Sequence, residues 1–132
     1  MSRIALLDTS IFVAKEVGRV VDPALLPDEG AVSVVTIAEL EAGVLAAADV
    51  VTRSRRARTA RLAGELAALP ITEEVAQMWA QMRVVVGQSG RRINVNDLWI
   101  AATAAVHGMP VCTQDDDFDV LAELGLVAVL KI

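Results

Sequence analysis

Four short apolar runs, separated by stretches of helical character, constrain this sequence more than any other feature. They are RIALLD at 3–8, AVSVV at 31–35, PVCT at 110–113 and LVAVLKI at 126–132. A run of that length, apolar at successive positions, suits a strand covered on both sides rather than one with a wet face. The intervening segments predict helices at about 10–20, 37–48, 50–69, 73–86, 97–107 and 116–124. Turn signals interrupt them at Asp22-Pro23, at Pro27 to Gly30 and in GQSGRR at 87–92. Gly108, with Pro110 beyond it, closes the helix that begins near Asp97. Strands alternating with helices predict an α/β fold, a three-layer α/β/α sandwich around a mostly parallel sheet. With 132 residues and no repeat or linker, the expectation is one domain over 1–132.

The remaining composition excludes several functional classes. No apolar run is long enough to cross a bilayer, and MSRIALLDTS reaches an acid too soon for a signal peptide. A cytoplasmic protein without membrane attachment is expected. The single cysteine, Cys112, offers neither an internal disulfide nor a thiolate metal site, and its apolar setting suits a small buried residue. Aromatics are confined to Phe12, Trp79, Trp99 and Phe118, too few for an extended base-stacking platform. The net charge of −5 disfavours a nucleic-acid partner in bulk. Its distribution does not: Arg53, Arg55, Arg56, Arg58 and Arg61 crowd into nine residues, and Arg91-Arg92 form a second group. Projected on a helix, the first group spreads around most of the circumference, as a solvated face also would.

The acids follow the strand plan. Asp8 ends the first apolar run, Glu39 is expected in the first turn of the helix after the second, Asp97 opens a later helix, and Asp115, Asp116 and Asp117 follow PVCT. In a parallel sheet, strand carboxyl ends and the helix starts that follow them share one edge, and ligands bind there. Taken singly, each acid is also what a helix start looks like, and Thr36 to Glu39 and Thr113 to Asp116 both fit a capping box. Together they exceed what capping requires. Two carboxylates about 4 Å apart repel by about 4 kcal/mol at an effective dielectric near 20, so several at one edge call for a cation. Oxygen donors select Mg²⁺ or Mn²⁺ over zinc, and the chemistry that follows is metal-assisted phosphodiester hydrolysis. Elimination agrees, because the only histidine, His107, sits at a helix end and leaves no acid–base pair or nucleophile triad.

LLDTSIFVA, VSVVTIAELEAGV, NDLWIAATAAVHGMPVCTQDDDF and LGLVAVLKI resemble the PIN domain, specifically the VapC toxins of VapBC toxin–antitoxin modules. The likeness runs from the first strand to the last; the middle, about 50–90, follows by order and length alone. The resemblance implies that Asp8, Glu39, Asp97 and Asp115 are catalytic and coordinate Mg²⁺ or Mn²⁺. It adds Asp117 as a secondary ligand, and Ser10 and Thr113 as supporting polar groups. Asp116 would be a spacer at the start of the last helix, pointing to solvent. It further implies a homodimeric endoribonuclease that cuts RNA such as tRNA and is inhibited by a cognate VapB antitoxin, often through an inserted Arg or Lys. Arg53, Arg55, Arg56, Arg58, Arg61, Arg91 and Arg92 are then candidate RNA contacts. Two other readings use the same acids. One is a non-catalytic dimeric module whose acidic pocket captures a basic peptide. The other is a Mg²⁺-dependent phosphoryl-transfer protein, which would want a strand-end lysine in the second half, where the two lysines, Lys15 and Lys131, offer only Lys131.

Overall fold

The computed structural model describes residues 3–132 and contains five parallel strands and six α-helices among them. The strands are β1 (Ile4–Leu7), β2 (Glu29–Ser33), β3 (Ala67–Leu69), β4 (Val111–Thr113) and β5 (Val129–Lys131). The helices are α1 (Thr9–Glu16), α2 (Val34–Leu45), α3 (Val50–Gly64), α4 (Glu73–Gln88), α5 (Val95–Val106) and α6 (Asp119–Glu123), with a 3-10 turn at Pro23–Leu25.

The sheet runs β3-β2-β1-β4-β5, every pair parallel. The chain builds outward from β1 to β2 and β3, then returns to the other side of β1 for β4 and β5. That reversal creates a switch point between β1 and β4, and the crevice beyond their carboxyl ends is where such sheets take ligands.

Alternation along the strands divides the core between two faces. Leu6, Ala31 and Val111 join the larger cluster, with Val75, Met82, Leu98, Ile100 and Leu121 from α4, α5 and α6. Their neighbours Ala5, Val32 and Cys112 face the other way, against Ile11, Phe12, Leu40 and Ala63 of α1, α2 and α3. A stacked pair, Trp79 on Trp99 with ring centroids 4.8 Å apart, fastens α4 to α5. Arg83 lies over the Trp79 ring. Among the described residues no helix is long and apolar enough to cross a membrane.

Three sequence expectations need correction. The helix expected over 50–69 stops at Gly64, and Ala67–Leu69 forms edge strand β3 beside β2. Ala-Ala-Leu has the composition of a helix, and only the pairing with Ala31, Val32 and Ser33 makes it a strand. The helix expected from 37 begins three residues earlier, capped by Ser33, whose Oγ accepts from the Val35 amide. Glu39 therefore lies in the second turn, and Thr36 is a buried helical residue instead of a cap. The last helix covers only Asp119–Glu123, so no capping box operates between Thr113 and Asp116.

Candidate active site

Asp8 follows the last residue of β1 and is 3 % exposed. Its amide continues the sheet by donating to the Cys112 carbonyl at 2.9 Å. Two hydroxyls meet its carboxylate: Ser10 Oγ and Thr113 Oγ1 each donate to Oδ2 at 2.7 Å. Burying a carboxylate is costly unless its oxygens are bonded, and these two donors supply that compensation. The same hydroxyl oxygens accept backbone amides, Ser10 from Gln114 and Thr113 from Asp115, both at 3.0 Å. The turn after β4 is thereby moulded onto the end of β1, and Asp115 is carried to the edge of Asp8's site.

Glu39 reaches the same edge from α2. Thr9 Oγ1 donates to its Oε1 at 2.7 Å and lies 3.1 Å from Thr36 Oγ1. Asp97 is the third residue of α5, whose cap is Asn94; the Asn94 side chain accepts from the amides of Asn96 and Asp97. Asp97 therefore sits in the positive field of a helix start, as a macrodipole argument alone would allow.

Its surroundings exceed that argument. A cavity of about 350 Å³ is lined by Asp8, Glu39, Asp97, Asp115 and Asp117 together, with Ser10 and Asn94. The Asp97 carboxyl is pushed up to about 7, first by burial and then by Asp8, Asp117, Glu39 and Asp115. Asp115 is raised as well, by burial and by Asp8 and Asp117, while Arg19 pulls the other way. Acids from four separate segments thus form one mutually repelling set.

Of the consecutive acids, Asp115 and Asp117 line this cavity and Asp116 does not. Asp116 is 86 % exposed at its side chain and accepts from Lys131 Nζ at 2.6 Å, as Asp119 does at 2.9 Å. It does not open the last helix; it pairs with the final strand. Lys131 is occupied by this pairing, away from the acidic cavity, which removes the strand-end lysine that a phosphoryl-transfer reading would need.

The donor set fits a hard divalent cation. Every group is an oxygen, the charge is in excess, and hydroxyls orient two of the carboxylates. Among the described residues no three His, Cys, Asp or Glu side chains stand close enough to form a ready metal cage. Asp8 and Glu39 are held by their hydroxyl partners.

Comparisons with known proteins identify the family of the fold. A family model for the PIN domain matches residues 5–124. The chain belongs to the PIN-domain family. Within it, the chain is 48 % identical over 126 residues to ribonuclease VapC5 of Mycobacterium tuberculosis, covering 96 % of this chain and 93 % of that one. Ribonuclease VapC4 of the same organism is 37 % identical, with coverage of 96 % and 98 %. A chain from the crystal structure of VapBC-5, a member of the VapBC family of toxin–antitoxin systems from M. tuberculosis, superposes with a TM-score of 0.90 at 44 % identity. That match covers 98 % of both chains.

The arginines of this PIN domain divide into groups. Arg56 Nη1 donates to the Gly43 carbonyl at 2.7 Å and Arg53 Nη2 to the Ala47 carbonyl at 3.4 Å, so both serve the carboxyl end of α2. Arg55 pairs with Glu16 at 3.6 Å and, with Arg58, lines a groove of about 880 Å³ between α1 and α3. Arg61 lines neither that groove nor the acidic cavity. Arg91 and Arg92 line a cavity of about 430 Å³ that shares Asn94, Asp97 and Asp117 with the acidic one, and Arg91 also bonds Glu123.

Cys112 and His107 take no part. Cys112 is buried, with its thiol pushed up to about 11, and His107 is the exposed C-cap of α5. Sequence reasoning did not find Thr9, which orients Glu39, or Arg19, a cation lining the acidic cavity. Thr9 stands between Asp8 and Ser10, so its place at a strand end was a usable signal. Arg19 had none beyond its position just past a two-turn helix.

Proposed function

We propose that this chain is the endoribonuclease toxin of a toxin–antitoxin pair, hydrolysing RNA phosphodiester bonds at the cavity beyond β1 and β4. The observation that carries the reading is the meeting of five carboxylates from four segments at the switch point of the sheet. Membership of the PIN-domain family and identity to ribonucleases VapC5 and VapC4 support it. PIN-domain ribonucleases depend on divalent metal, and for this chain Mg²⁺ is proposed, with Mn²⁺ as a substitute.

In this reading Asp8, Glu39, Asp97 and Asp115 hold the cation, with Asp117 as a further ligand. When bound, the metal supplies Lewis-acid polarisation of water and of the phosphate, together with charge neutralisation. The chain's own groups position the reactants. Ser10 and Thr113 orient the Asp8 carboxylate, and Thr9 orients that of Glu39. Asp97, whose carboxyl is pushed up to about 7 by burial and by the neighbouring acids, is the ligand that a bound cation would do most to hold deprotonated. Arg91 and Arg92, at the cavity adjoining Asp97 and Asp117, are placed to hold RNA phosphates beside the acids. Arg55 and Arg58 are weaker candidates on the α1–α3 groove, while Arg53 and Arg56 are committed to the fold.

A VapB-type antitoxin is the proposed inhibitor, in keeping with the VapBC-5 likeness. A cationic side chain inserted by such a partner would neutralise the carboxylates that otherwise hold metal. The toxin is proposed to act as a cytoplasmic homodimer of a single PIN-like domain.

The test is incubation of the purified, antitoxin-free protein with total bacterial RNA in Mg²⁺, in Mn²⁺ and in EDTA, followed by mapping of new 5′ ends. Discrete cuts that disappear in EDTA are expected. A folded protein that cuts no RNA with either metal yet still binds a basic partner would favour the binding-module reading.

A further inference from the structure

Arg19 occupies a place that neither the acids nor the sequence motifs account for. It is the one cationic side chain lining the acidic cavity, and the one residue that this cavity shares with the α1–α3 groove. Its backbone is fixed by the end of α1. Gly18 adopts a left-handed φ of +76°, the Gly18 amide donates to the Lys15 carbonyl at 3.3 Å, and the Arg19 amide donates to the Ala14 carbonyl at 2.9 Å. This is a complete Schellman closure, which sets the point from which the side chain departs. The guanidinium, by contrast, is exposed and makes no hydrogen bond or ion pair with any described residue. It lies near enough to Asp115 to lower the proton affinity of that carboxyl, yet it does not close on it. Service to the helix dipole does not explain it, since Lys15 already supplies the cation in the last turn of α1.

An unspent guanidinium that lines both an acidic cavity and the neighbouring groove suits a ligand that brings its own negative charge. The planar fork of Arg matches a phosphate bidentately. A polyanion entering a pocket of five carboxylates also needs a cation at the rim to offset repulsion at close range.

We propose that Arg19 is a substrate-binding residue that holds a phosphate of the RNA strand where it passes from the acidic cavity into the α1–α3 groove. The inference rests on the ribonuclease reading. With Arg91 and Arg92 at the cavity on the Asp97 and Asp117 side, Arg19 gives the strand a cationic contact on each of two flanks of the acids.

The experiment measures binding of a short labelled oligoribonucleotide of mixed sequence in Mg²⁺ over a range of salt concentrations. Asp97→Asn protein serves as the background so that bound RNA stays intact. Adding Arg19→Ala is expected to weaken binding about tenfold at low salt and to lower the slope of log K against log salt by about 0.7, one phosphate's share on a single strand. Arg19→Lys should keep the slope while losing part of the affinity, because charge survives and the fork does not. Unchanged affinity and slope for Arg19→Ala, in a background that binds RNA, would overturn the inference and leave the ribonuclease reading standing. A parental protein that neither cuts nor binds RNA would overturn both. Weakened binding of a VapB-type antitoxin with RNA binding unaltered would assign Arg19 to the toxin–antitoxin interface instead, and also overturn it.

Discussion

Thr113 Oγ1 donates to Asp8 Oδ2 at 2.7 Å across 105 residues of chain, joining the carboxyl ends of β1 and β4 where the sheet reverses. Thr113→Val keeps the shape and removes the donor to a buried carboxylate, along with the acceptor for the Asp115 amide. The expected cost is about 2 kcal/mol in urea unfolding, since bonds to charged groups contribute more than neutral ones. Cleavage should fall at least tenfold, because the residue that orients Asp8 also moulds the turn bearing Asp115.

Asp97 carries a pH dependence. Its carboxyl is raised from 3.8 to about 7 by burial and by four neighbouring acids. Between those values the folded protein keeps a proton that the unfolded chain has released, so stability falls as pH rises through this window and levels off above it. Asp115 is raised too and acts in the same direction. After allowance for solvent screening, the protein in EDTA should lose about 1–2 kcal/mol between pH 5 and pH 8. Urea unfolding at the two pH values measures this. Mg²⁺ or Mn²⁺ should restore stability mainly at pH 8, because the ligands bind metal deprotonated. Asp97→Asn should flatten most of the slope.

The consecutive acids separate by role. Asp116→Asn should leave cleavage within about twofold of the parent, since Asp116 pairs with Lys131 and lines only the adjoining cavity of Arg91 and Arg92, not the acidic one. Asp115→Asn should abolish cleavage and Asp117→Asn reduce it. Rates measured for the three variants side by side decide the assignment.

The arginines of α3 should separate in the same way. Arg56→Ala removes the donor to the Gly43 carbonyl and should cost about 1 kcal/mol in unfolding, with RNA affinity little changed. Replacing Arg91 and Arg92 together with Ala should weaken RNA binding and lower its salt slope, with little loss of stability. Binding isotherms at two salt concentrations, beside melting curves, distinguish the two behaviours.

How far the sequence foretold this arrangement depends on the kind of signal involved. β1, β2 and β4 were legible because a buried parallel strand must be apolar on both faces, and Asp8 and Asp115 were legible because each interrupts such a run. β3 was not, since Ala67–Leu69 becomes a strand only by pairing with β2. Thr36 and Thr113 also fitted capping boxes, because a hydroxyl near a helix start has the same local pattern whether it serves the backbone or a distant carboxylate. Here Thr113 serves Asp8 and Thr36 lies beside Thr9, relations spanning 105 and 27 residues that no local window contains. Arg19 was invisible for the opposite reason. Nothing in its neighbourhood distinguishes it from a solvated arginine, and its relation to the acids exists only once α1 has folded back over the sheet edge.

Carboxylates far apart in the chain form one hydrolytic site, with Asp97 essential to the reaction and a burden on the fold. The most direct test is the single-turnover cleavage rate of Asp97→Asn in Mg²⁺, measured beside its unfolding curve in EDTA at pH 8. A rate at least a thousandfold below the parent is expected, from a protein that is equally stable or more so. Cleavage at the parental rate by a folded Asp97→Asn protein would rule out Asp97 as part of the hydrolytic site.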